Sequence, residues 1–249
     1  MLSSELARKL VAEALGTALL LATVVGSGIM GEQLAGGNVG LALLANTIAT
    51  GAGLVALILT FGPLSGAHFN PAVTLADASQ GGLRWHEVPG YVFAQVVGAF
   101  GGVAVAHIMF EQPELFFASQ HQRTGIAQWV SEFVATFGLL SVIWGCARRR
   151  PGLVPFAVGA YITAAYWFTS STSFANPAVT LARAASDTFA GIRPVDAPGF
   201  IVAQLLGAGA ATWLFRWLVP ALPLVAANVV DRGDAVDTER GRGELEELS

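Results

Sequence analysis

The seven residues Asn-Pro-Ala-Val-Thr-Leu-Ala occur twice, at 70–76 and at 176–182, and this duplication constrains the fold more than any other feature of the chain. The match extends well beyond the heptad. Pro89, Gly90, Ala94, Gln95, Gly98 and Ala99 find counterparts in Pro198, Gly199, Ala203, Gln204, Gly207 and Ala208, and Glu13 finds one in Glu132. The order Glu, Asn-Pro-Ala, Ala-Gln-x-x-Gly-Ala is therefore written twice.

Around these motifs lie six apolar segments, near 10–30, 39–61, 89–110, 127–147, 153–170 and 198–220. Each is close to the roughly 20 residues a helix needs to cross a hydrocarbon core. Composition agrees: 54% of residues are hydrophobic and 12% charged, against about 25% charged in soluble domains, and mean hydropathy is +0.60. The 29 glycines suit helices packed closely in lipid. The first segment follows Arg8 and Lys9 without a small-residue cleavage site, so it reads as a retained span. Three spans per half is an odd number, so the second half enters the membrane upside down relative to the first. Inverted repeats place a solute site near the bilayer midplane.

Arg8, Lys9, Arg84, Arg148, Arg149, Arg150, Arg232, Arg240 and Arg242 fall on the side of the termini, and Arg123, Arg183 and Arg193 on the other. The positive-inside rule then predicts a multi-pass plasma (inner) membrane protein with both termini cytoplasmic. The charged stretch 231–249 reads as a disordered cytoplasmic tail. Cys146, the one cysteine, reads as a packing residue.

Two further apolar stretches, 69–79 and 175–186, are too short to cross. At 1.5 Å per residue each reaches about half of a core about 30 Å thick, and two end to end make one crossing. Asn-Pro starts a helix: Asn caps the first turn, and Pro at the first helical position gives up only an N–H that would be unpaired. The Asn side-chain NH2 is left free to donate. In the inverted arrangement two positive dipole ends meet at the midplane and oppose cations. The non-helical lead-ins, 63–69 and 169–175, are tolerated at that depth where they line a water-filled cavity, to which they offer carbonyl acceptors. The expected architecture is an all-α membrane fold of six transmembrane helices plus two re-entrant half-helices. Its inverted three-helix halves run about 5–115 and 125–220, and residues 1–249 form a single channel domain.

With Ser-Gly-Ala-His-Phe-Asn-Pro-Ala-Val-Thr at 65–74, the second heptad, both Glu positions and both Ala-Gln-x-x-Gly-Ala segments, the chain resembles the major intrinsic proteins, the aquaporin and aquaglyceroporin family, over roughly 5–220. The resemblance implies a passive channel for small uncharged solutes and water, one pore per subunit, and a homotetramer in lipid. The pore centre would be Asn70, Pro71, Ala72, Asn176, Pro177 and Ala178, with Ala67, His68, Phe174 and Ala175 along the lining. Glu13 and Glu132 would hold the re-entrant loops through their carbonyls.

Members of that family usually carry Arg directly after the second Asn-Pro-Ala, in a narrow filter; here the residue is Val179. Counted from the motifs without gaps, the other filter positions fall on Thr50, Ala164 and Ser173. Such a filter is arginine-free and wide, suited to polyols or metalloid hydroxides such as glycerol and arsenite. The stretch 176–192 is similar to the bacterial branch linked to arsenical detoxification. Arg183, one turn beyond Val179, can lean back toward the mouth, although its spacing favours an ion pair with Asp187 at i+4. Its counterpart in the first half is Asp77, an inversion of charge that the sequence leaves unexplained. The His68 imidazole is placed to narrow or pH-tune the pore. His86, His107 and His121 have no metal-ligand spacing, so no metal or cofactor is expected.

Two alternatives remain at this point. An orthodox water channel shares the same centre, and a secondary transporter shares inverted repeats and broken helices. An enzyme is disfavoured by the lack of a Ser/His/Asp elbow, an H-E-x-x-H motif or a phosphate loop. A net charge of −4 without a basic face argues against nucleic acid.

Overall fold

The computed structural model describes residues 4–147 and 150–219. The expected tail 231–249, together with Arg148, Arg149, Arg232, Arg240 and Arg242 of the charge count, lies outside the described residues. Every regular element described is helical: α1 (Ser4–Leu34), α2 (Val39–Ser65), α3 (Pro71–Gln80), α4 (Val88–Met109), α5 (Ile126–Ala147), α6 (Val154–Phe168), α7 (Pro177–Arg183) and α8 (Ala197–Leu218), with a 3₁₀ turn at Pro151–Leu153. The pattern α1–α4 is repeated in α5–α8.

Five helices, α1, α2, α4, α5 and α8, are each long and apolar enough to cross a membrane. The sixth expected span, 153–170, is shorter than anticipated, because α6 holds only 15 residues. That is about 22 Å, and the preceding 3₁₀ turn adds about 6 Å, which together approach a full hydrocarbon thickness. Pro151 and Pro155 explain the split: each lacks the N–H that would continue an α-helical ladder from the turn before it.

Packing follows the repeat. In the first half α1 lies against α4 and α2, in the second α5 lies against α8 and α6, and α2 meets α6 across the halves. Matched glycines permit this. A side chain at Gly98 would strike the carbonyl of Ala14, and one at Gly207 the carbonyl of Phe133. These are the same residue of the Ala-Gln-x-x-Gly-Ala segment in its two copies, so that segment is read as the α1/α4 and α5/α8 contact seam. Where α2 crosses α6, a Cβ on Gly159 would sit 2.7 Å from the Gly51 carbonyl. The outer surface carries Phe93, Val202, Trp213 and Trp217, all exposed, as a lipid-facing belt requires.

The half-helices start where the Asn-Pro rule puts them. Asn70 Oδ1 accepts from the N–H of Ala72 at 2.9 Å, and Asn176 Oδ1 from Ala178 at 3.0 Å and Val179 at 3.3 Å. Their ends are unequal. The first runs ten residues and closes on Gly81 in the left-handed region, while the second runs seven, not the twelve of the stretch 175–186. The cause is an outer loop: the N–H of Phe117 binds the Ala185 carbonyl and that of Ser119 the Ala184 carbonyl, both at 3.1 Å. Helix carbonyls satisfied this way need no further helical turn.

Candidate functional site

The site begins with two buried carboxylates. Glu13 accepts four hydrogen bonds: Oε1 from Ser65 Oγ (2.7 Å) and His68 N (2.9 Å), Oε2 from Phe69 N (2.7 Å) and Gln95 Nε2 (2.8 Å). Glu132 repeats the scheme with Phe174 N (2.9 Å), Ala175 N (2.8 Å) and Gln204 Nε2 (2.6 Å). Both residues do brace the lead-in loops, but through backbone N–H groups and not through carbonyls as the sequence reading had it. A carboxylate is an acceptor, so it can only take the loop's donors, and the carbonyls are turned away from it. Gln95 and Gln204 were visible in the repeat without a role. Each also donates to a half-helix threonine, Thr74 (2.8 Å) and Thr180 (2.9 Å), and so ties the brace to the half-helix.

The loops need that bracing. Ala67 and Phe69 in the first, and Thr172, Ser173 and Ala175 in the second, hold positive φ between 48° and 60°, each at a cost of about 1–2 kcal/mol for a residue other than glycine. The alternation turns successive carbonyls aside. Those of Gly66, Ala67, His68, Ser173 and Phe174 accept no hydrogen bond among the described residues. Behind the first loop, Gly16 leaves room for the ring of Phe69.

At the junction of the half-helices the side-chain amides that the caps leave free to donate each find an acceptor in the other half. Asn70 Nδ2 donates to the Ala175 carbonyl and Asn176 Nδ2 to the Phe69 carbonyl, both at 2.7 Å. Each motif thus holds the residue preceding the other. The second hydrogen of each amide has no protein partner among the described residues.

One cavity borders the junction and both loops. Its lining includes Asn70 and Asn176, the loop residues Ala67, His68, Phe174 and Ala175, and the filter candidates Thr50, Ser173 and Val179. Leu20, Val24, Leu54, Val158 and Ile162 form an apolar wall around the same cavity. Pro71, Ala72, Pro177 and Ala178 are buried beside it in the half-helix starts.

Ala164 is a correction. It is exposed and lies off the cavity, whereas Val154, Val158, Ile162 and Tyr166 of the same helix line it at a spacing of four residues. A position two residues from both Ile162 and Tyr166 points to the opposite face. The gap-free count therefore missed Tyr166, whose hydroxyl donates to Thr50 Oγ1 at 3.3 Å.

The wall is also not free of arginine. Val179 is uncharged, but Arg183 lines the cavity, buried, with its guanidinium carbon 3.4 Å from the centre of the Phe174 ring and its Nε donating to the Ala190 carbonyl. The expected pair with Asp187 does not form, because Asp187 is held by the N–H of Gln120 at 2.7 Å and by Ser119 Oγ at 3.5 Å. Arg123, which the sequence reading used only for orientation, stacks on the same Phe174 at 5.0 Å. Its Nε donates to Gly191 O (2.8 Å), and Nη1 to Ser171 O (3.0 Å) and Thr172 Oγ1 (3.4 Å), which anchors the second loop from outside. Burial pushes its guanidinium down to about 10, so it is still a cation at neutral pH.

On the other side of the junction His68 Nδ1 lies 3.1 Å from Thr74 Oγ1, and Nε2 lies 3.6 Å from Asp77 Oδ2. Both side chains border the cavity. His107 serves structure: its two ring nitrogens bond Leu115 O and Ser186 Oγ, each at 2.8 Å. His86 and His121 are exposed. No cluster of three or more metal-ligating side chains exists among the described residues.

An inverted helical repeat whose half-helices meet at a membrane-depth cavity defines a class, the integral membrane channels with re-entrant half-helices. The comparisons specify the family. The sequence pattern described as "Major intrinsic protein" matches residues 1–173. The chain is 58% identical over 222 residues to an aquaglyceroporin, AqpS, of Rhizobium meliloti (strain 1021), covering 89% of this chain and 94% of that one. It is 32% identical to aquaporin NIP1-3 of Oryza sativa subsp. japonica, over 87% and 75% of the two chains. Among solved structures, the aquaglyceroporin of Plasmodium falciparum shares the fold with a TM-score of 0.66 at 21% identity, over 88% of this chain and 99% of that one. The chain belongs to the major intrinsic protein family and is a membrane channel for small solutes.

Proposed function

We propose that the cavity between the half-helices is the conduction path and that it passes polyols such as glycerol and neutral metalloid hydroxides such as arsenous acid, as well as water. The observation that carries this reading is the two-faced lining: an apolar wall that includes Leu54, Val158 and Ile162 shares the cavity with the loop residues whose carbonyls lack partners. A carbon skeleton lies against such a wall while its hydroxyls replace lost water bonds along the loops. In this reading Asn70 and Asn176 are the centre, and Thr50, Ser173 and Val179 are the constriction, with Tyr166 taking the place assigned to Ala164. The match to an aquaglyceroporin over most of both chains supports it.

Residues 1–249 act as one channel domain with inverted halves near 5–115 and 125–220, without enzymatic activity, in a homotetramer in the plasma (inner) membrane with both termini cytoplasmic. A coupled transporter is disfavoured because Glu13 carries four donors on its two oxygens and Glu132 three, so both buried carboxylates are committed to the loops and the glutamines. The test is flux into vesicles carrying the purified protein, followed for water, glycerol and arsenous acid. Passage of all three without saturation or dependence on a proton gradient is expected. Passage of water alone identifies an orthodox water channel and overturns the polyol reading.

A further inference from the structure

Most charges and hydroxyls around the cavity are engaged; Asp77 Oδ2 has only His68 Nε2 nearby, at 3.6 Å, and on the opposite side of the junction two further groups stand out. Arg123 uses both Nε and Nη1 on protein oxygens. Arg183 uses only Nε, on Ala190 O, and pairs with no carboxylate among the described residues. Contact with Phe174 and that one bond hold its guanidinium, and the Nη groups have no protein acceptor among the described residues. Ser173 beside the same cavity is a second exception: the residue is 3% exposed and its Oγ is buried with no hydrogen-bond partner among the described residues. Both residues line the cavity on the side away from the termini.

A buried donor without an acceptor costs free energy unless something else supplies one. Guanidinium is a rigid planar fork of donors and carries no acceptor; it matches two adjacent oxygens better than one. We propose that Arg183 and Ser173 form a donor subsite for solutes bearing two oxygens on neighbouring atoms or on one central atom, so that the channel discriminates by oxygen spacing and not by size alone. This rests on the reading of the cavity as a polyol path. It also explains why the wall tolerates Val179: the fork is set one turn along α7, where it narrows the path from the side without occupying the position after Ala178.

Two isomers of equal size separate oxygen spacing from pore width: 1,2-propanediol, with adjacent hydroxyls, and 1,3-propanediol, with separated ones. Flux of each is measured by stopped-flow light scattering in vesicles of the full chain, after subtraction of empty vesicles. The native channel is expected to pass the 1,2 isomer about tenfold faster than the 1,3 isomer. Arg183→Gln and Arg183→Lys, which each lose the fork, are expected to bring that ratio to within about twofold of one. Ser173→Ala removes a hydroxyl bonded to nothing in the protein and is expected to lower the ratio about threefold. A native ratio near one, or a ratio unmoved by Ser173→Ala and either Arg183 variant, overturns the subsite and leaves the polyol path standing. Absence of flux for both isomers through the native chain overturns the path and the subsite together.

Discussion

Asn176 donates its side-chain amide to the carbonyl of Phe69 at 2.7 Å, and Asn70 returns the bond to Ala175 at the same distance. The two halves are therefore joined at their most symmetric point by the residues that also start both half-helices. Replacing Asn70 with Asp keeps the cap oxygen on Ala72 but sets a carboxylate oxygen against the Ala175 carbonyl. Asn70→Ala loses the cap as well. Thermal unfolding in detergent is expected to show losses of about 2–3 kcal/mol for Asn70→Ala, with Asn70→Asp at least as destabilised. Unchanged stability of both variants would mean the cross-half bond is not maintained in solution.

Glu13 separates a brace from a proton relay. Its four donors come from α2, the first loop and α4, two on each oxygen, so Glu13→Gln would point an NH2 at two of them and strand both. Bonds to a charged group contribute about 1.5–3 kcal/mol each. The variant is expected to yield little folded protein by size-exclusion chromatography. Folded Glu13→Gln with intact flux but an altered pH profile would make Glu13 a proton carrier and favour the coupled transporter.

Arg123 can bond the Ser171 carbonyl only if its own loop is held, and Asp196 holds it: Oδ2 accepts from Arg123 N at 2.9 Å and from Arg193 Nε at 3.0 Å. Burial opposes the Asp196 charge, but the Arg193 guanidinium and the Arg123 N–H outweigh it and keep the carboxyl below its ordinary range. A carboxyl lowered on folding stabilises the fold above its unfolded value, and that contribution is lost as pH falls through the lower folded value. Native protein should therefore lose thermal stability between neutral pH and about pH 3 more steeply than Asp196→Asn. Parallel profiles for the two proteins would remove Asp196 from the tether.

Much of the scaffold was legible because the repeat supplied two readings of every motif. Asn-Pro marked both half-helix starts to the residue, and Glu13 with Glu132 marked the loop braces. What eluded the sequence depended on faces and on long-range closure. Counting to Ala164 ignored that α6 exposes a cavity face every four residues, so Tyr166 was passed over. The end of α7 was set by Phe117 and Ser119, over 60 residues earlier in the chain, and no local pattern carries that information. The i+4 spacing favoured an ion pair of Arg183 with Asp187 over a lean toward the mouth, but Gln120 N had already taken the Asp187 carboxylate.

Val179 is the position at which a single residue should convert the selectivity. It lines the cavity, directly after Ala178 and four residues before Arg183. Val179→Arg places two guanidiniums on one helical face at i and i+4, where like charges repel, so the new side chain is driven away from Phe174 and into the open path. The added donors also hold water in place of a larger solute. Glycerol flux per inserted protein is expected to fall at least about tenfold while water flux falls no more than about threefold. Combining Val179→Arg with Arg183→Gln relieves the repulsion and should recover part of the glycerol flux. Glycerol flux unaffected by Val179→Arg would place the narrowest point of the path elsewhere, with Tyr166 and Thr50 the next residues to change.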